Sequence, residues 1–374
     1  MENNNNKWKI ISCILAVALI TVSCLYFTNL KNDNDKEVID EPIITIDEKD
    51  ANKDENILSL WTDNSKLKAE LTTYMNAITD ENSKDFIPVE NRIAVFDMDG
   101  TLCCETDPGY FDHKLLYYRV MEDPDYIDKA SEEEKETAKI IETYFETGEY
   151  PKGLDVKHGT AVATVFKGMT LEEFDNYVKK YRNESMQGYN NMTNGEAFYK
   201  PMLEVVDFLQ ANEFKVYIVS GTDRLITRGL AEGMINIPLS QMIGSDESLV
   251  ASNQDEKDGL DYTFTKDDKV ITGGEFLVKN LKMNKVSVIE QEIGVQPVLC
   301  FGNSGGDEAM ANFTLGNNKY KSAAYMLCCD DTERENGNLE KANKMYESCE
   351  KNGYTAISMK NDWKTIYGDN VTKK

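Results

Sequence analysis

A short apolar run that ends in two aspartates constrains this chain more than any other stretch. Residues 93–96 are all apolar, a run too short for a helix but suited to a strand buried on both faces. Asp97 follows at once, and Asp99 comes two positions later, before a glycine and a threonine. In open α/β sheets, ligands bind beyond the carboxyl ends of the strands, and residues two apart on extended backbone point the same way. The two carboxylates are therefore expected to face one small volume, where a hard cation such as Mg²⁺ offsets their charge.

Two other interpretations compete for this Asp-x-Asp-Gly turn. It can be loop chemistry alone, because Asp and Gly are common turn residues. It can also open a calcium loop, which needs glycine at the sixth position and glutamate at the twelfth. Counted from Asp97, those positions hold Leu102 and Pro108, so the calcium loop is excluded.

The charge balance and the histidine count exclude several classes of protein. The 374 residues carry a formal net charge of −25, which disfavours nucleic acid and anionic lipid surfaces as partners. His113 and His158 are the only histidines in the chain. A Ser-His-Asp hydrolase and a multi-histidine zinc centre are therefore not expected, and each histidine is expected to be a surface or cap residue.

The first 56 residues predict an anchor followed by a tether. Within residues 1–30, two lysines precede an almost wholly apolar run at 10–27, which is typical of a signal peptide or a single membrane span. Residues 20–24 resemble a bacterial lipoprotein cleavage box, in which Cys24 would become the lipidated N-terminus. Lipoprotein, uncleaved anchor and simple secretion all remain open, and each places the rest of the chain outside the cytoplasm. Residues 31–56 are rich in charged and amide side chains and predict a disordered, solvated tether.

The rest of the chain predicts an α/β fold with a doubly wound, mostly parallel sheet. Short buried strands alternate with helices, which is the pattern of parallel sheets. The predicted strands lie at 93–96, 215–219, 298–301 and 323–327. Residues 57–104 and 201–374 are assigned to this core domain.

Residues 105–200 differ from the core, because they carry charged, aromatic-rich helical patterns and no polar strand end. The clearest helices are predicted at 131–144 and at 171–181, where Thr170 and Glu173 form a capping box. This segment is assigned to a helical cap domain inserted after the first strand. A β-hairpin is predicted at 261–277, with turns at 267–268 and 273–274.

Three of the predicted strands end in groups that suit phosphoryl transfer. The first ends in the two aspartates, the second in Ser220-Gly221-Thr222, and the third in the loop 302–307, with Lys285 before it. A carboxylate can form an aspartyl-phosphate, and a hydroxyl with free backbone amides can hold phosphate oxygens. A lysine and a divalent metal offset the remaining negative charge.

With these motifs in this order, the chain resembles the haloacid dehalogenase superfamily, and specifically its phosphoserine-phosphatase-like branch, in which a helical cap follows the first motif. The resemblance runs from about Trp61 to Lys364 and is closest to extracytoplasmic bacterial phosphatases of that branch. The matching segments are Asp97-Met-Asp99-Gly-Thr101, Ser220-Gly221-Thr222, Lys285 and Gly302-Asn-Ser-Gly-Gly-Asp307.

The resemblance implies a role for each motif. Asp97 would be the nucleophile, and Asp99 would be the acid to the leaving alcohol and then the base to water. Ser220, the Gly221 amide and Lys285 would bind the phosphoryl group. Mg²⁺ would be held by the Asp97 carboxylate, the Asp99 backbone carbonyl and the fourth-motif loop, through Asn303 or Asp307.

The chain departs from the family pattern at three places. Asn303 stands where an acid is usual, so the metal loses one negative ligand unless Asp307 takes over. Lys285 is closer to the loop than usual, and Lys282 or Lys279 would be alternatives, although Lys285 is favoured because it starts a helix. Glu105 lies one residue out of register with a cap-side acid that contacts substrate amines, so it is either a substrate contact or a solvated loop acid.

These expectations combine into an extracytoplasmic, Mg²⁺-dependent phosphomonoesterase that hydrolyses a small phosphorylated substrate and touches the membrane only through its N-terminal anchor. The alternative is a catalytically silent binding module with the same fold, which the neutral Asn303 favours. The pairs Cys103-Cys104 and Cys328-Cys329 follow buried strands at one edge of the sheet. They leave open either one disulfide between the pairs or buried free thiols.

Overall fold

The computed structural model of the chain describes residues 58–374. A central β-sheet of seven strands is ordered β5-β4-β3-β1-β6-β7-β8, and every neighbouring pair is parallel except β4 and β5. The strands are β1 Ile93–Phe96, β3 Lys215–Asp223, β4 Met242–Ala251, β5 Val270–Val278, β6 Leu299–Gly302, β7 Ala323–Cys328 and β8 Thr355–Ser358. The predicted fold class, an α/β protein with a mostly parallel sheet, is confirmed.

The middle strand β1 shows why the chain forms this sheet. All four of its residues are buried, and it pairs with β3 on one side and β6 on the other. Because side chains alternate along a strand, Ala94 and Phe96 enter one hydrophobic cluster and Val95 enters the cluster on the other face. The ring of Phe96 stacks on that of Phe301, with 4.2 Å between ring centroids. Aromatic packing of this kind fixes β1 between layers of helices.

The helices fall into two groups along the chain. Those that flank the sheet are α1 Lys66–Thr79, α6 Lys200–Ala211, α7 Arg224–Ala231, α8 Met283–Glu292, α9 Glu308–Leu315, α10 Leu339–Asn352 and α11 Met359–Asp362. Those between β1 and α6 are α2 Phe111–Met121, α3 Glu132–Thr147, α4 Leu154–Val165 and α5 Leu171–Arg182. The two helices predicted most clearly, now α3 and α5, are confirmed, and both begin with a capping box.

A buried arginine organises the second group of helices. Arg119 on α2 donates to the Val165 carbonyl at 2.8 Å and lies 3.3 Å from Asp123. Its guanidinium also lies over three aromatic rings at 4.3 to 4.9 Å, including that of Phe166. Helix α4 also packs against β5, so these helices contact the sheet as well as one another.

The predicted hairpin at 261–277 is wrong. Only its second half is a strand, and this strand, β5, pairs antiparallel with β4 rather than with residues 261–266. The predicted turn at Gly273-Gly274 lies inside β5, where a side chain at Gly273 would stand 2.4 Å from the Ser248 hydroxyl oxygen. The glycine therefore serves a close approach between two strands with an irregular register, and not a turn.

The beginning and the end of the described chain are joined. Trp61 and Trp363 form an isolated antiparallel bridge, with their rings edge to face and 5.9 Å between centroids. The Thr62 amide donates to the Asp362 carbonyl at 2.8 Å, and the Lys364 amide donates to the Leu60 carbonyl at 2.9 Å. A second small pairing, not predicted, joins β2 Tyr189–Asn190 to β9 Thr372–Lys373. Segments far apart in sequence thus meet at two places.

Of the two alternatives left open for the cysteine pairs, the described residues show free thiols and no disulfide. Cys103, Cys104, Cys328 and Cys329 are all free thiols. The reason is that they face different partners: the Cys103 thiol donates to the Met98 carbonyl, Cys104 to Glu335, and Cys329 to the Asn338 carbonyl. Between residues 58 and 374, no helix is both long and apolar enough to cross a membrane. The predicted anchor, Cys24 and the tether lie outside the described residues.

Candidate active site

The first motif forms a tight turn beyond β1. The Asp97 amide donates to the Phe301 carbonyl at 2.9 Å, which keeps the nucleophile candidate in line with β6. Gly100 follows with a φ of +80°, a conformation that L side chains rarely adopt. A side chain there would also stand 2.0 Å from the Asn303 amide nitrogen. The turn is therefore built so that the fourth-motif loop can lie directly against the first.

A fully buried lysine joins the first motif to the fourth. Lys285, in the first turn of α8, places its ammonium 2.6 Å from Asp97 Oδ1 and 2.7 Å from Asp307 Oδ1. Burial and the Asp307 charge raise the pKa of Asp97 to about 7, although the Lys285 charge opposes that shift. Burial alone would lower the pKa of Lys285, but Asp307 and Asp97 raise it, so the lysine stays charged. Of the three candidate lysines, Lys285 makes this contact, whereas Lys279 and Lys282 line the cavity described below.

The carboxylate of Asp307 is occupied on both sides. One oxygen binds Lys285, and the other accepts hydrogen bonds from the amides of Asn303 and Ser304 and from the Ser304 hydroxyl, at 3.0 to 3.1 Å. The residue is 1% exposed. With these contacts, Asp307 positions Lys285 and holds the backbone of the fourth-motif loop.

Asp99 has one satisfied and one unsatisfied oxygen. Oδ2 accepts a hydrogen bond from the Thr222 hydroxyl at 2.8 Å, and Oδ1 is buried with no partner among the described residues. Burial, together with the charges of Asp112 and Asp97, raises the pKa of Asp99 well above its usual range. The surroundings of Asp99 therefore favour its protonated form.

The second motif reaches the cavity through Gly221 and Thr222 rather than through Ser220. Ser220 is fully buried, and its hydroxyl accepts a hydrogen bond from the Thr222 amide at 3.0 Å. The Gly221 carbonyl is in turn held by the Ser245 hydroxyl at 2.6 Å. Thr222, to which the sequence analysis gave no role, is the residue of this motif that contacts Asp99.

These groups surround one cavity of about 240 Å³ at the carboxyl edge of the sheet. Both aspartates of the first motif, the second-motif turn and the fourth-motif loop line its floor. Its other walls come from the loop before α8 and from the helices between β1 and α6. The lining residues are Asp97, Asp99, Glu105, Tyr110, Asp112, His113, Tyr150, Asp155, Gly221, Thr222, Lys279, Leu281, Lys282, Asn303, Ser304, Gly306 and Asp307.

Glu105 lies in the wall of this cavity and is not a freely solvated acid. Its carboxylate accepts a hydrogen bond from the Tyr110 hydroxyl at 3.0 Å and lies 3.4 Å from the Lys341 ammonium. Its side chain is 15% exposed. Both of its neighbours hold the carboxylate in place beside the cavity.

The expectation that the histidines lie at the surface is wrong. His113 on α2 and His158 on α4 are 3% and 1% exposed, and their rings stack face to face with 4.0 Å between centroids. His113 Nδ1 lies 2.7 Å from Asp112 Oδ1, and His158 Nδ1 lies 3.8 Å from Asp112 Oδ2. Burial acts to raise the pKa of Asp112, but its contacts with His158 and His113, including the His113 hydrogen bond, hold that pKa below its usual range. Burial, with the charge of His113, lowers the pKa of His158 to about 3, so its ring is neutral.

The donor set at the floor of the cavity fits a Mg²⁺ ion. The Asp97 carboxylate, the Asp99 backbone carbonyl and the Asn303 side-chain amide are oxygen donors on two loops in contact, and Mg²⁺ prefers oxygen ligands. Asp307 fits less well as a ligand because four hydrogen bonds already engage its oxygens.

Comparisons with known proteins give likenesses of fold. No family model and no curated protein matches the chain. Similar solved structures include a conserved protein of unknown function from Anaerococcus prevotii DSM 20548, at 15% identity and a TM-score of 0.46, with 78% of this chain and 91% of that chain covered. A cytosolic 5′-nucleotidase IIIB bound to cytidine matches at 14% identity and a TM-score of 0.47, with 81% and 90% covered. A substrate-bound phosphoserine phosphatase matches at 14% identity and a TM-score of 0.34, with 64% and 86% covered.

In the sheet of this chain, β1 lies in the middle, between β3 and β6. The three strand ends carry the motifs in the order that the sequence resemblance implies, and Lys285 reaches the first of them. The placement of the four motifs at one edge of the sheet is the one that the resemblance to the haloacid dehalogenase superfamily implies.

Proposed function

We propose that the chain is a Mg²⁺-dependent phosphomonoesterase of the phosphoserine-phosphatase-like branch, which hydrolyses small phosphate esters through an aspartyl-phosphate on Asp97. The observation that carries this proposal is the meeting of Asp97, Asp99 and the Gly221-Thr222 turn at one cavity, with Lys285 directly behind Asp97. A group transfer needs a nucleophile, a proton donor and positive charge near the phosphoryl oxygens, and each has a residue here.

In the first step, a carboxylate oxygen of Asp97 attacks phosphorus, and the bond from phosphorus to the ester oxygen breaks. Lys285, 2.6 Å from Oδ1, holds the carboxylate in place and favours its charged form. Because Lys285 is itself fixed by Asp307, the orientation of the nucleophile depends on residues from three elements. The product of this step is a mixed anhydride of Asp97 and phosphate.

Asp99 supplies and recovers the proton. Burial and the neighbouring carboxylates favour its protonated form, and the buried, unpartnered Oδ1 can give that proton to the departing ester oxygen. In the second step, Asp99 takes a proton from water as the water oxygen attacks phosphorus, which releases phosphate and restores the Asp97 carboxylate. The Thr222 hydroxyl, bound to Oδ2, orients Asp99 for both transfers.

The phosphoryl group would be bound by Lys285 and by the turn beyond β3. Gly221 lines the cavity, so its backbone approaches the phosphoryl oxygens without a side chain in the way. Ser220 would contribute to phosphoryl binding indirectly, from below the cavity floor, because its hydroxyl accepts a hydrogen bond from the Thr222 amide and so fixes this turn. Asp97, the Asp99 carbonyl and Asn303 would hold Mg²⁺, which offsets the phosphoryl charge when bound. Glu105 would contact the substrate from the opposite wall.

A catalytically silent binding module is the second candidate, favoured by the neutral Asn303 at a position where an acid is usual. Both candidates share the cavity and its phosphate site. They differ in whether Asp97 reacts, which an activity measurement decides.

The test is phosphate release by the purified full chain from a panel of phosphate esters with Mg²⁺. Turnover of at least one ester is expected, and Asp97→Asn is expected to reduce it to background while the circular dichroism spectrum is unchanged. Asp99→Asn should still form the aspartyl-phosphate slowly from nitrophenyl phosphate, because that leaving group needs no proton.

Asp128→Asn, at an exposed aspartate far from the motifs in sequence, serves as the matched control and should retain full activity. Substantial activity in Asp97→Asn contradicts the mechanism, and binding of the esters without turnover favours the silent module.

A further inference from the structure

The only two histidines of the chain lie ring on ring in one buried cluster with an aspartate. His113 and Asp112 are neighbours at the start of α2, and His158 comes from α4. Ligand atoms of the three residues all lie within 4.8 Å of one another. Among residues 58–374, this is the one group of three or more His, Cys, Asp or Glu side chains that is close enough to hold a metal ion.

Most ring nitrogens of the cluster lack a hydrogen-bond partner. Three of its four ring nitrogens, His113 Nε2 and both nitrogens of His158, are buried and have no hydrogen-bond partner among the described residues. Buried polar atoms nearly always have a partner, and each one left without costs about 1–3 kcal/mol. Three such atoms on two touching rings therefore indicate that a group not contained in the protein chain binds there.

We propose that Asp112, His113 and His158 form a binding site for one transition-metal cation of the Zn²⁺ class, separate from the oxygen-ligand site on the cavity floor. Two imidazoles and one carboxylate are a ligand set that Zn²⁺ accepts, whereas Mg²⁺ prefers oxygen alone. The three side chains are between 1% and 3% exposed, so the ion would be largely removed from water. The proposal concerns binding and holds whether or not the proposed hydrolysis is correct.

The cluster can bind one ion through both histidines after one ring turns. Parallel rings cannot both aim a nitrogen at one point, so one ring must turn before both can bind the same cation. The ring of His158 has no hydrogen bond to hold it, whereas His113 is fixed by Asp112 at 2.7 Å. His158 is therefore the ring that turns. Asp112 and His113 line the cavity, which gives the cation a route from solvent.

The site is also placed to influence the first motif. The Thr222 hydroxyl lies 2.8 Å from Asp99 Oδ2 and 3.4 Å from Asp112 Oδ2, so one hydroxyl is shared between the two carboxylates. A cation on Asp112 would reduce the negative charge that faces Asp99. Zn²⁺ bound at the histidines is thus expected to alter turnover as well as stability.

The test uses the full chain, stripped of metals and kept in excess Mg²⁺, with histidine labelled by ¹⁵N. Because the chain has only two histidines, its spectrum contains two imidazole side chains. Addition of Zn²⁺ should shift both and saturate at one ion per chain, with the stoichiometry measured by calorimetry. His158→Gln and His113→Gln should each weaken binding at least about tenfold, the scale on which lost metal-site partners act. Thr160→Ala, at an exposed position of the same helix α4, should bind as the wild type does.

Controls separate this site from the others in the chain. Asp97→Asn should still bind Zn²⁺ with both imidazoles shifted, so loss of hydrolysis and loss of this site are distinct results. Binding to cysteine thiols would leave both imidazole signals unmoved and would overturn the proposal, as would the absence of binding. Should a histidine variant fail to fold, the wild-type imidazole shifts and the visible spectrum of the Co²⁺-loaded chain still decide the question.

Discussion

At the scale of single residues, the contacts of the fourth-motif acid favour one of the two roles that the sequence left open for it. Asp307 matches a family position near the metal, yet its four hydrogen bonds turn it towards Lys285 and the loop backbone. Asn303 instead packs directly on the first-motif turn. In the proposed site, Asn303 would hold the metal and Asp307 would place the lysine.

The first prediction separates these tasks by the Mg²⁺ dependence of activity. Asn303→Asp should lower the Mg²⁺ concentration for half-maximal activity, because it adds a negative ligand. Asp307→Ala should slow turnover sharply with little change in that concentration, because it releases Lys285. A metal titration of both variants checks this, with Asp128→Asn as the control. A much higher Mg²⁺ requirement in Asp307→Ala would show instead that Asp307 is a ligand.

The second prediction concerns the pH dependence of stability at Glu247. Both oxygens of this carboxylate are buried without a partner among the described residues. Burial, with the charges of Asp223 and Asp246, raises its pKa to about 9. An acid whose pKa is higher in the folded state destabilises the fold increasingly as pH rises from its unfolded pKa to its folded one.

The expected result is that Glu247→Gln unfolds like the wild type at about pH 4 and becomes more stable than it as pH increases. The gain from about pH 5 to about pH 7 should be on the order of 2–3 kcal/mol, at 1.36 kcal/mol per pH unit. Urea denaturation at several pH values measures it, and Glu275→Gln at an exposed position of β5 is the matched control. Equal gains in both variants, or none, would refute the assignment to Glu247.

The place of a site residue could be predicted where a local sequence motif marks it. It could not be predicted where it depends on contact between distant segments. Asp97, Asp99 and Lys285 follow from strand ends and spacing. The buried histidine pair does not, because its two members are 45 positions apart and each alone gives a weak signal. The missing cue was their proximity in space, which only the packing of α2 on α4 reveals.

At the scale of elements, the sequence predicted the positions of the fully buried strands β1 and β6 correctly. It did not predict the pairing of β4 with β5. β1 and β6 read as continuous apolar runs because they are covered on both faces. β5 is an edge strand with only one buried residue, and its adjacent glycines mimic a turn. Glycine marks both turns and close approaches, so sequence alone cannot distinguish them here.

The third prediction tests how α4 is held on the sheet. Gly159 on α4 lies against Phe276 on β5, and a side chain added there would stand 2.5 Å from the Phe276 ring. Gly159→Leu should therefore destabilise the protein by about 1–3 kcal/mol. Because α4 also carries Asp155 of the cavity wall and His158, the variant should also raise the KM for the substrate.

Thermal unfolding and steady-state kinetics measure both effects, and Phe276→Ala in the same chain should restore part of the loss. Gly259→Leu, where no atom lies within 4 Å of an added side chain, is the matched control. Additive losses in the double variant would mean that the two residues do not oppose each other.

At the scale of the whole molecule, the sequence predicted the order of the strands' motifs but not how the inserted helices reach the cavity. Parallel strands bring their carboxyl ends to one edge, so the three motif-bearing strand ends had to converge. The walls formed by α2 and α4 depend instead on side-chain packing, such as that around Arg119. Packing of this kind has no signature in hydrophobic periodicity.

The fourth prediction concerns the attachment of the chain, which we propose to be extracytoplasmic. If Cys24 is lipidated, the wild type should incorporate a labelled fatty acid, and Cys24→Ala should lose both the label and the processed form. Cys13→Ala, at the other cysteine of the apolar segment, is the matched control. An unlabelled wild type that stays in the membrane would indicate an uncleaved span, and an unlabelled one released to the medium would indicate secretion.

The pairing of Trp61 with Trp363 sets a limit on when this protein can finish folding. Trp61 is fully buried, and it is covered by a segment that the ribosome makes about 300 residues later. At about 5–20 residues per second, the segment around Trp61 waits at least about 15 seconds for that cover. During this interval an indole and the backbone groups of Leu60 and Thr62 lack their partners. Until residues 362–364 have emerged, this face of the nascent chain is expected to be accessible to a chaperone.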